Sequence, residues 1–167
     1  MLTAYYRLQT PLHETLKQKS LKCGLLRESK LAEYRKRLRE YRISSREHPY
    51  DQYARLKFLM GDAGSIDFSQ THVFLTPKLD RALKLAGLHL KRNAVVLEFC
   101  FPKDKTERAP LYLDSTHAEN ELLVPGSLQL RFLKSIYCDA ARVSVVKRHL
   151  TNAGLKRVRI VPVSQHV

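Results

Sequence analysis

The sequence predicts an α+β fold, on three observations. Residues 2 to 9 (Leu-Thr-Ala-Tyr-Tyr-Arg-Leu-Gln) and 93 to 101 (Asn-Ala-Val-Val-Leu-Glu-Phe-Cys-Phe) are runs of strand formers. Residues 29 to 41 and 50 to 60 repeat apolar side chains at helical spacing. Strand-like and helix-like segments then alternate without regular βαβ units. A length of 167 residues with 44% hydrophobic content allows one domain with its own core, which excludes disorder of the whole chain.

The elements follow in order. After the first strand, Thr10 reads as an N-cap with Pro11 at the first helical position and Glu14 in the first turn. Lys19, Lys22 and Gly24 read as the close of that helix. Leu31, Tyr34, Leu38 and Tyr41 line one face of a second helix, with basic residues around the rest of the cylinder. After a break at Ser44 to Pro49, Tyr50, Tyr53, Ala54, Leu56 and Met60 fit a third helix, ended by Gly61 to Gly64. Residues 28 to 62 thus read as a helical insertion. A strand at 71 to 76 stops at Pro77, and a short helix at 78 to 86 stops before Gly87. The apolar run at 93 to 101 reads as a central strand. Residues 102 to 110 form a loop, followed by a short Leu111-Tyr112-Leu113. Strands are expected at 119 to 124 and 128 to 137, a helix at 140 to 150 and a last strand at 158 to 163.

Charge is concentrated. There are 30 Lys and Arg against 16 Asp and Glu, a net +14. Residues 17 to 46 carry net +8 and residues 131 to 159 net +7, leaving −1 for everything else. Two basic blocks on a balanced chain point to a polyanionic partner, nucleic acid ahead of an anionic membrane surface. A solvated, solubilising face is the competing account. No apolar run reaches 18 residues and the first residues lack a signal-peptide pattern, so neither membrane insertion nor secretion is expected. Cys23, Cys100 and Cys138, odd in number and without a CxxC pair, read as reduced thiols of a cytoplasmic protein.

Several chemistries drop out. The six glycines never form a dinucleotide-binding fingerprint or a P-loop, and no nucleophile elbow, zincin or EF-hand pattern occurs. The seven histidines are scattered and no metal site is expected. The informative segment is Asp114 to Ser127, in which Glu119 and Glu121 stand two apart. On a strand those two side chains share a face. Paired carboxylates suit the expulsion of a leaving group from a sugar carbon: one stabilises an oxocarbenium-like transition state, the other handles the nucleophile. An edge strand with two solvated acids satisfies the same spacing.

Arg7 on the first strand, Phe74-Leu75-Thr76-Pro77 before a helix, and Glu119-Asn-Glu121-Leu-Leu-Val-Pro125 occur in that order. This arrangement resembles the mono-ADP-ribosyltransferase superfamily, in its Arg–Ser/Thr–Glu branch with an ExE motif. Here Thr76 stands alone, without the family's Ser-Thr-Ser triplet. The resemblance implies a single domain over residues 1 to 167, two small β-sheets forming an NAD cleft, flanking helices and the basic insertion. It implies NAD as co-substrate, and no metal. Glu121 would be the catalytic glutamate and Glu119 would engage the acceptor. Arg7 would contact the diphosphate or adenine-side ribose, Thr76 the nicotinamide ribose or Glu121, and Tyr6, Phe74 or Tyr112 would stack on a ring. The loop holding Tyr112, Ser115 and His117 would meet the acceptor. Arg35, Arg39 and Arg42 would grip it if it is RNA or DNA, which the basic blocks favour over a protein arginine. A toxin or phage-defence effector with an inhibitor or antitoxin partner fits that likeness. An RNA 2′-phosphotransferase and a non-enzymatic nucleic-acid-binding module remain as alternatives; the paired glutamates count against the former.

Overall fold

The computed structural model describes residues 1–8, 11–22, 27–44, 47, 49–60, 72–87, 93–103, 113–114 and 122–163. The chain is α+β and divides into two compact units, both discontinuous in sequence. The first unit comprises Met1–Leu21, Leu75–Ala109 and Gln129–Val167; the second comprises Lys22–Phe74 and Pro110–Leu128.

The first unit is built on a four-stranded sheet. In it β1 (Leu2–Leu8), β4 (Val95–Phe101), β8 (Leu133–Asp139) and β9 (Arg159–Val163) lie in the order β1-β4-β8-β9. The first two pairings are antiparallel and the last is parallel. The parallel step needs a crossover, supplied by α5 (Val143–Asn152) packing back on β8 and β9. That helix ends in a Schellman motif: Gly154 adopts φ 73°, its N–H reaches the Thr151 carbonyl at 3.1 Å, and the Leu155 N–H reaches Leu150 at 2.9 Å. Alternation sends Val95, Leu97, Phe99 and Phe101 to one face, where all are 2% exposed or less, beside Ile136 and Cys138 of β8. The other face takes α4 (Leu79–Ala86), whose Ala82 and Ala86 pack with Val96 and Tyr137. Small residues let this helix approach closely, and Gly87 at φ 59° ends it.

The second unit holds the helical pair α2 (Arg27–Glu40) and α3 (Pro49–Met60), as the sequence predicts. Tyr34, Leu38, Ile43 and Leu56 form its buried cluster, edged by Tyr41 and Met60. Inside it the Tyr34 hydroxyl donates to Gln52 Oε1 at 3.0 Å, and Gln52 Nε2 donates to the Ser44 carbonyl at 3.0 Å. A three-stranded sheet orders β3 (His72–Leu75), β6 (Leu122–Pro125) and β5 (Leu113–Asp114) as β3-β6-β5. Burial pushes the Tyr34 phenol up to about 12.

Three expectations change. The helix after β1 is only α1 (Leu12–Lys17), with Pro11 in the N-cap position rather than inside it. Lys19 then turns left-handed at φ 57° and Ser20–Lys22 become a strand, β2. The expected strand at 128 to 137 is two strands: β7 (Ser127–Gln129) pairs with β2, β8 joins the four-stranded sheet, and a 3-10 turn at Leu130–Phe132 redirects the chain between them. The described residues therefore form three sheets where two were expected. Thr10 lies outside the described residues.

Candidate functional site

Two of the residues singled out in the sequence come together on the first unit. Thr76 follows β3 and makes an isolated antiparallel bridge to Tyr5: each backbone N–H donates to the other's carbonyl, at 2.8 and 2.9 Å. Arg7 stands two residues along β1 from Tyr5 and therefore shares its face. Thr76 is 8% exposed, and its Oγ1 accepts from the Lys78 N–H at 3.3 Å, which fixes the turn through Pro77. Arg7 is exposed; its Nη1 donates to the Leu85 carbonyl at 3.0 Å, near the end of α4. A cation there meets the negative end of the helix. One guanidinium N–H is spent on that carbonyl, while the group carries five in a planar fork suited to phosphate. Tyr6 points to the opposite face, together with Ala4 and Leu8. Phe74 sits half-buried on β3 in the second unit.

The register also builds a polar row that sequence reasoning did not pick out. Tyr5 lies opposite Glu98, Glu98 opposite Ser135 and Ser135 opposite Arg159, so the four follow one another across the face that Arg7 shares. Glu98 is 4% exposed. It accepts from the Tyr137 hydroxyl at 3.1 Å through Oε2, and Lys134 Nζ stands 3.7 Å from Oε1. The Ser135 hydroxyl is buried without a hydrogen-bond partner among the described residues. Burial, then the Glu98 hydrogen bond and charge, hold the Tyr137 phenol above its ordinary value; burial and Glu98 do the same for Tyr5. The available signal was a single Glu inside an otherwise apolar strand, because a carboxylate in that setting must find donors.

On the second unit, α2 sorts its charges. Glu40 lies 3.9 Å from Lys36 and 3.4 Å from Arg37, so these cations share one acid. Arg35 and Arg39, spaced i and i+4, fall on another stripe, and Arg42 follows beyond the helix end; all three are exposed and without an ion pair among the described residues. Arg42 sits just past the helix end at φ 54°, in a position that normally takes glycine.

Glu119, Glu121, Tyr112, Ser115 and His117 lie outside the described residues; β6 begins at Leu122. Among the described residues no three His, Cys, Asp or Glu side chains group as metal ligands, and no helix is long and apolar enough to cross a membrane. Cys138 is buried, which raises its thiol pKa and weakens it as a nucleophile.

No protein-family model matches the chain, and no curated protein does. Among solved structures it is similar to Thermosipho africanus DarTG in complex with ADP-ribose, at 14% identity and a TM-score of 0.44. The match covers 97% of this chain and 50% of that one, so the chain spans about half the length of its structural neighbour. A likeness of that size assigns neither a family nor an activity, and the functional reading rests on this chain's own residues.

Proposed function

We propose that the chain is an NAD-dependent mono-ADP-ribosyltransferase, a single domain over residues 1 to 167, that modifies RNA or DNA. The observation that carries the reading is the pairing of Thr76 with Tyr5 beside Arg7. It makes neighbours of two elements that 69 residues of sequence separate, in the order Arg, Thr, Glu-x-Glu. The unneutralised arginine stripe on α2 supports a polyanionic acceptor.

In this reading the bond between C1′ of the nicotinamide ribose and the pyridine nitrogen breaks, and its electron pair leaves on nicotinamide. Glu121 stabilises the resulting oxocarbenium-like centre through the ribose 2′-hydroxyl. An oxygen or nitrogen of the acceptor forms the new bond at C1′, and Glu119 takes the proton it gives up. Arg7 offers its remaining donors to the diphosphate, and Thr76 serves the nicotinamide ribose or braces Glu121. Phe74 is the stacking candidate on NAD; Tyr6, on the face of β1 opposite Arg7, is set aside. Tyr112, Ser115 and His117 meet the acceptor, whose phosphates lie along Arg35, Arg39 and Arg42.

The test is incubation with adenylate-labelled NAD and pools of RNA, DNA and protein. Nicotinamide release and label in a nucleic acid are expected, and Glu121→Gln abolishes both. Charge reversal at Arg35, Arg39 and Arg42 cuts labelling and leaves NAD hydrolysis largely intact. Label on protein alone overturns the acceptor. Absence of nicotinamide release overturns the activity: salt-sensitive nucleic-acid binding without it favours the binding module, and removal of a 2′-phosphate from RNA favours the phosphotransferase.

A further inference from the structure

A second cationic surface lies wholly within the first unit. Because β8 and β9 run parallel, their starts lie side by side, with Ser135 opposite Arg159. The segments leading into them bring Arg131, Lys134, Lys156, Arg157 and Arg159 to the same end of the sheet. All five are exposed. Lys134 is the residue left over where the β4–β8 register steps between Glu98 and Phe99, and Glu98 pairs with it. The other four have no ion pair among the described residues.

Two of these cations are held in place. Arg157 Nη2 donates to the Arg131 backbone carbonyl at 2.9 Å, tying the loop before β9 to the turn before β8. The Arg131 guanidinium lies 4.7 Å from the centroid of the Phe132 ring, and Phe132 itself packs edge-on against Phe101 at 6.1 Å. A guanidinium resting on an aromatic face keeps its in-plane N–H donors for another partner and has already lost part of its rotamer freedom. Like charges crowded this way repel one another within the chain, and a polyanion relieves that repulsion while releasing counterions. Lys147 and Arg148 lie mid-way along α5, and Arg142 donates to the Asn93 carbonyl at 2.7 Å, away from the starts of β8 and β9. Among the described residues, the second basic block thus places four of its cations without an ion pair at the strand ends, apart from Lys147 and Arg148 on α5.

We infer that Arg131, Lys156, Arg157 and Arg159 form a binding surface for the phosphodiester backbone of a polynucleotide, distinct from the α2 stripe. The inference deepens the nucleic-acid side of the proposed function and is independent of NAD chemistry. Four cations spread over adjoining strand ends suit successive phosphates of a chain.

The test is fluorescence anisotropy of the full chain with a labelled 20-nucleotide single strand and its duplex, between 50 and 200 mM salt and without NAD. Arg131→Gln/Arg157→Gln and Lys156→Gln/Arg159→Gln are each expected to weaken binding about 10-fold and to flatten the log–log salt slope by about 1.4, at roughly 0.7 per phosphate contact on single strands. Arg131→Lys/Arg157→Lys keeps the charge and is expected to restore most of the slope; that rescue separates lost charge from lost folding. Unchanged affinity and slope in both glutamine pairs overturn the inference. So does loss confined to vesicles containing 30% phosphatidylserine, which would make the surface a membrane contact. Nicotinamide release is followed in parallel: its absence overturns the transferase reading alone, and unchanged oligonucleotide binding overturns this one alone.

Discussion

Arg7 carries two roles that one substitution can separate. In the fold it donates a 3.0 Å hydrogen bond to the Leu85 carbonyl at an exposed helix end. Removing such a contact costs about 0.5–1 kcal/mol, counting the hydrogen bond and the helix dipole together at a solvent-exposed site. For a chain of this size that lowers Tm by roughly 1–4 °C. In the proposed reaction the same guanidinium holds a diphosphate, and losing a charge-assisted contact of about 1.5–3 kcal/mol raises the KM for NAD roughly 10- to 100-fold. The two effects differ enough in size to be told apart. Arg7→Ala should therefore unfold within a few degrees of the parent and need far more NAD for the same nicotinamide release. Arg7→Lys keeps the charge but loses the planar fork, and should fall between. The assay pairs thermal denaturation with initial rates of nicotinamide release over a range of NAD concentrations. An unchanged KM in Arg7→Ala, alongside the small loss in Tm, refutes the diphosphate role and leaves Arg7 a helix-capping residue only.

Arg42 occupies a left-handed position at the end of α2, which costs a side chain about 1 kcal/mol relative to glycine. Arg42→Gly should thus leave stability unchanged or raise it by up to about 1 kcal/mol, while weakening oligonucleotide binding; a drop in Tm with unaltered binding contradicts this account. The Tyr34 phenol stands at about 12 in the folded chain against an ordinary value near 10. Because the folded value is the higher one, its contribution is fully present below pH 10 and is lost as pH rises from 10 through 12. At about 1.4 kcal/mol per pH unit the loss reaches roughly 2.7 kcal/mol, so alkaline unfolding should be shallower in Tyr34→Phe than in the parent. An identical slope in both argues against a buried phenol. Glu98→Gln should lower the Tyr137 phenol towards 10 in an absorbance titration, without bringing it all the way because burial is the larger cause. No movement would mean that Glu98 and Tyr137 are not bonded in solution.

Local chemistry carried the sequence reading where it acted alone. Gly87 ends a helix through a left-handed residue, a requirement that a sequence displays directly. The spacing of Tyr34 and Leu38, with Leu56 opposite, announced the packed helical pair in the same way. Residues 128 to 137 read as one strand because their β-propensity is continuous; which sheet each half joins is decided by distant strands, β2 for one and β4 with β9 for the other. The polar row was hidden for the same reason. Nothing near Glu98 in the chain names Tyr5, Ser135 or Arg159, and only the register makes them neighbours. Thr76 was a strand-end residue before a proline until its bridge to Tyr5 put it beside Arg7.

Net charge is a poor guide to where a polyanion binds, and this chain shows why. Both basic blocks contain cations that are already paired with acids: Lys36 and Arg37 with Glu40, and Lys134 with Glu98. The exposed pairs at Glu40 contribute little to stability, about 0–1 kcal/mol, so stability alone does not account for them. The effect of the pairs is to neutralise cations within each block, while others stand exposed without an ion pair among the described residues: Arg35 and Arg39 on α2 with Arg42 just past its end, Arg131, Lys156, Arg157 and Arg159 at the strand ends, and Lys17, Lys19, Lys147 and Arg148 besides. A uniformly solubilising surface would gain nothing from that sorting, since solubility depends on total charge. It would also gain nothing from an arginine kept at φ 54° where glycine is cheaper. A surface that must meet a phosphate chain gains from both.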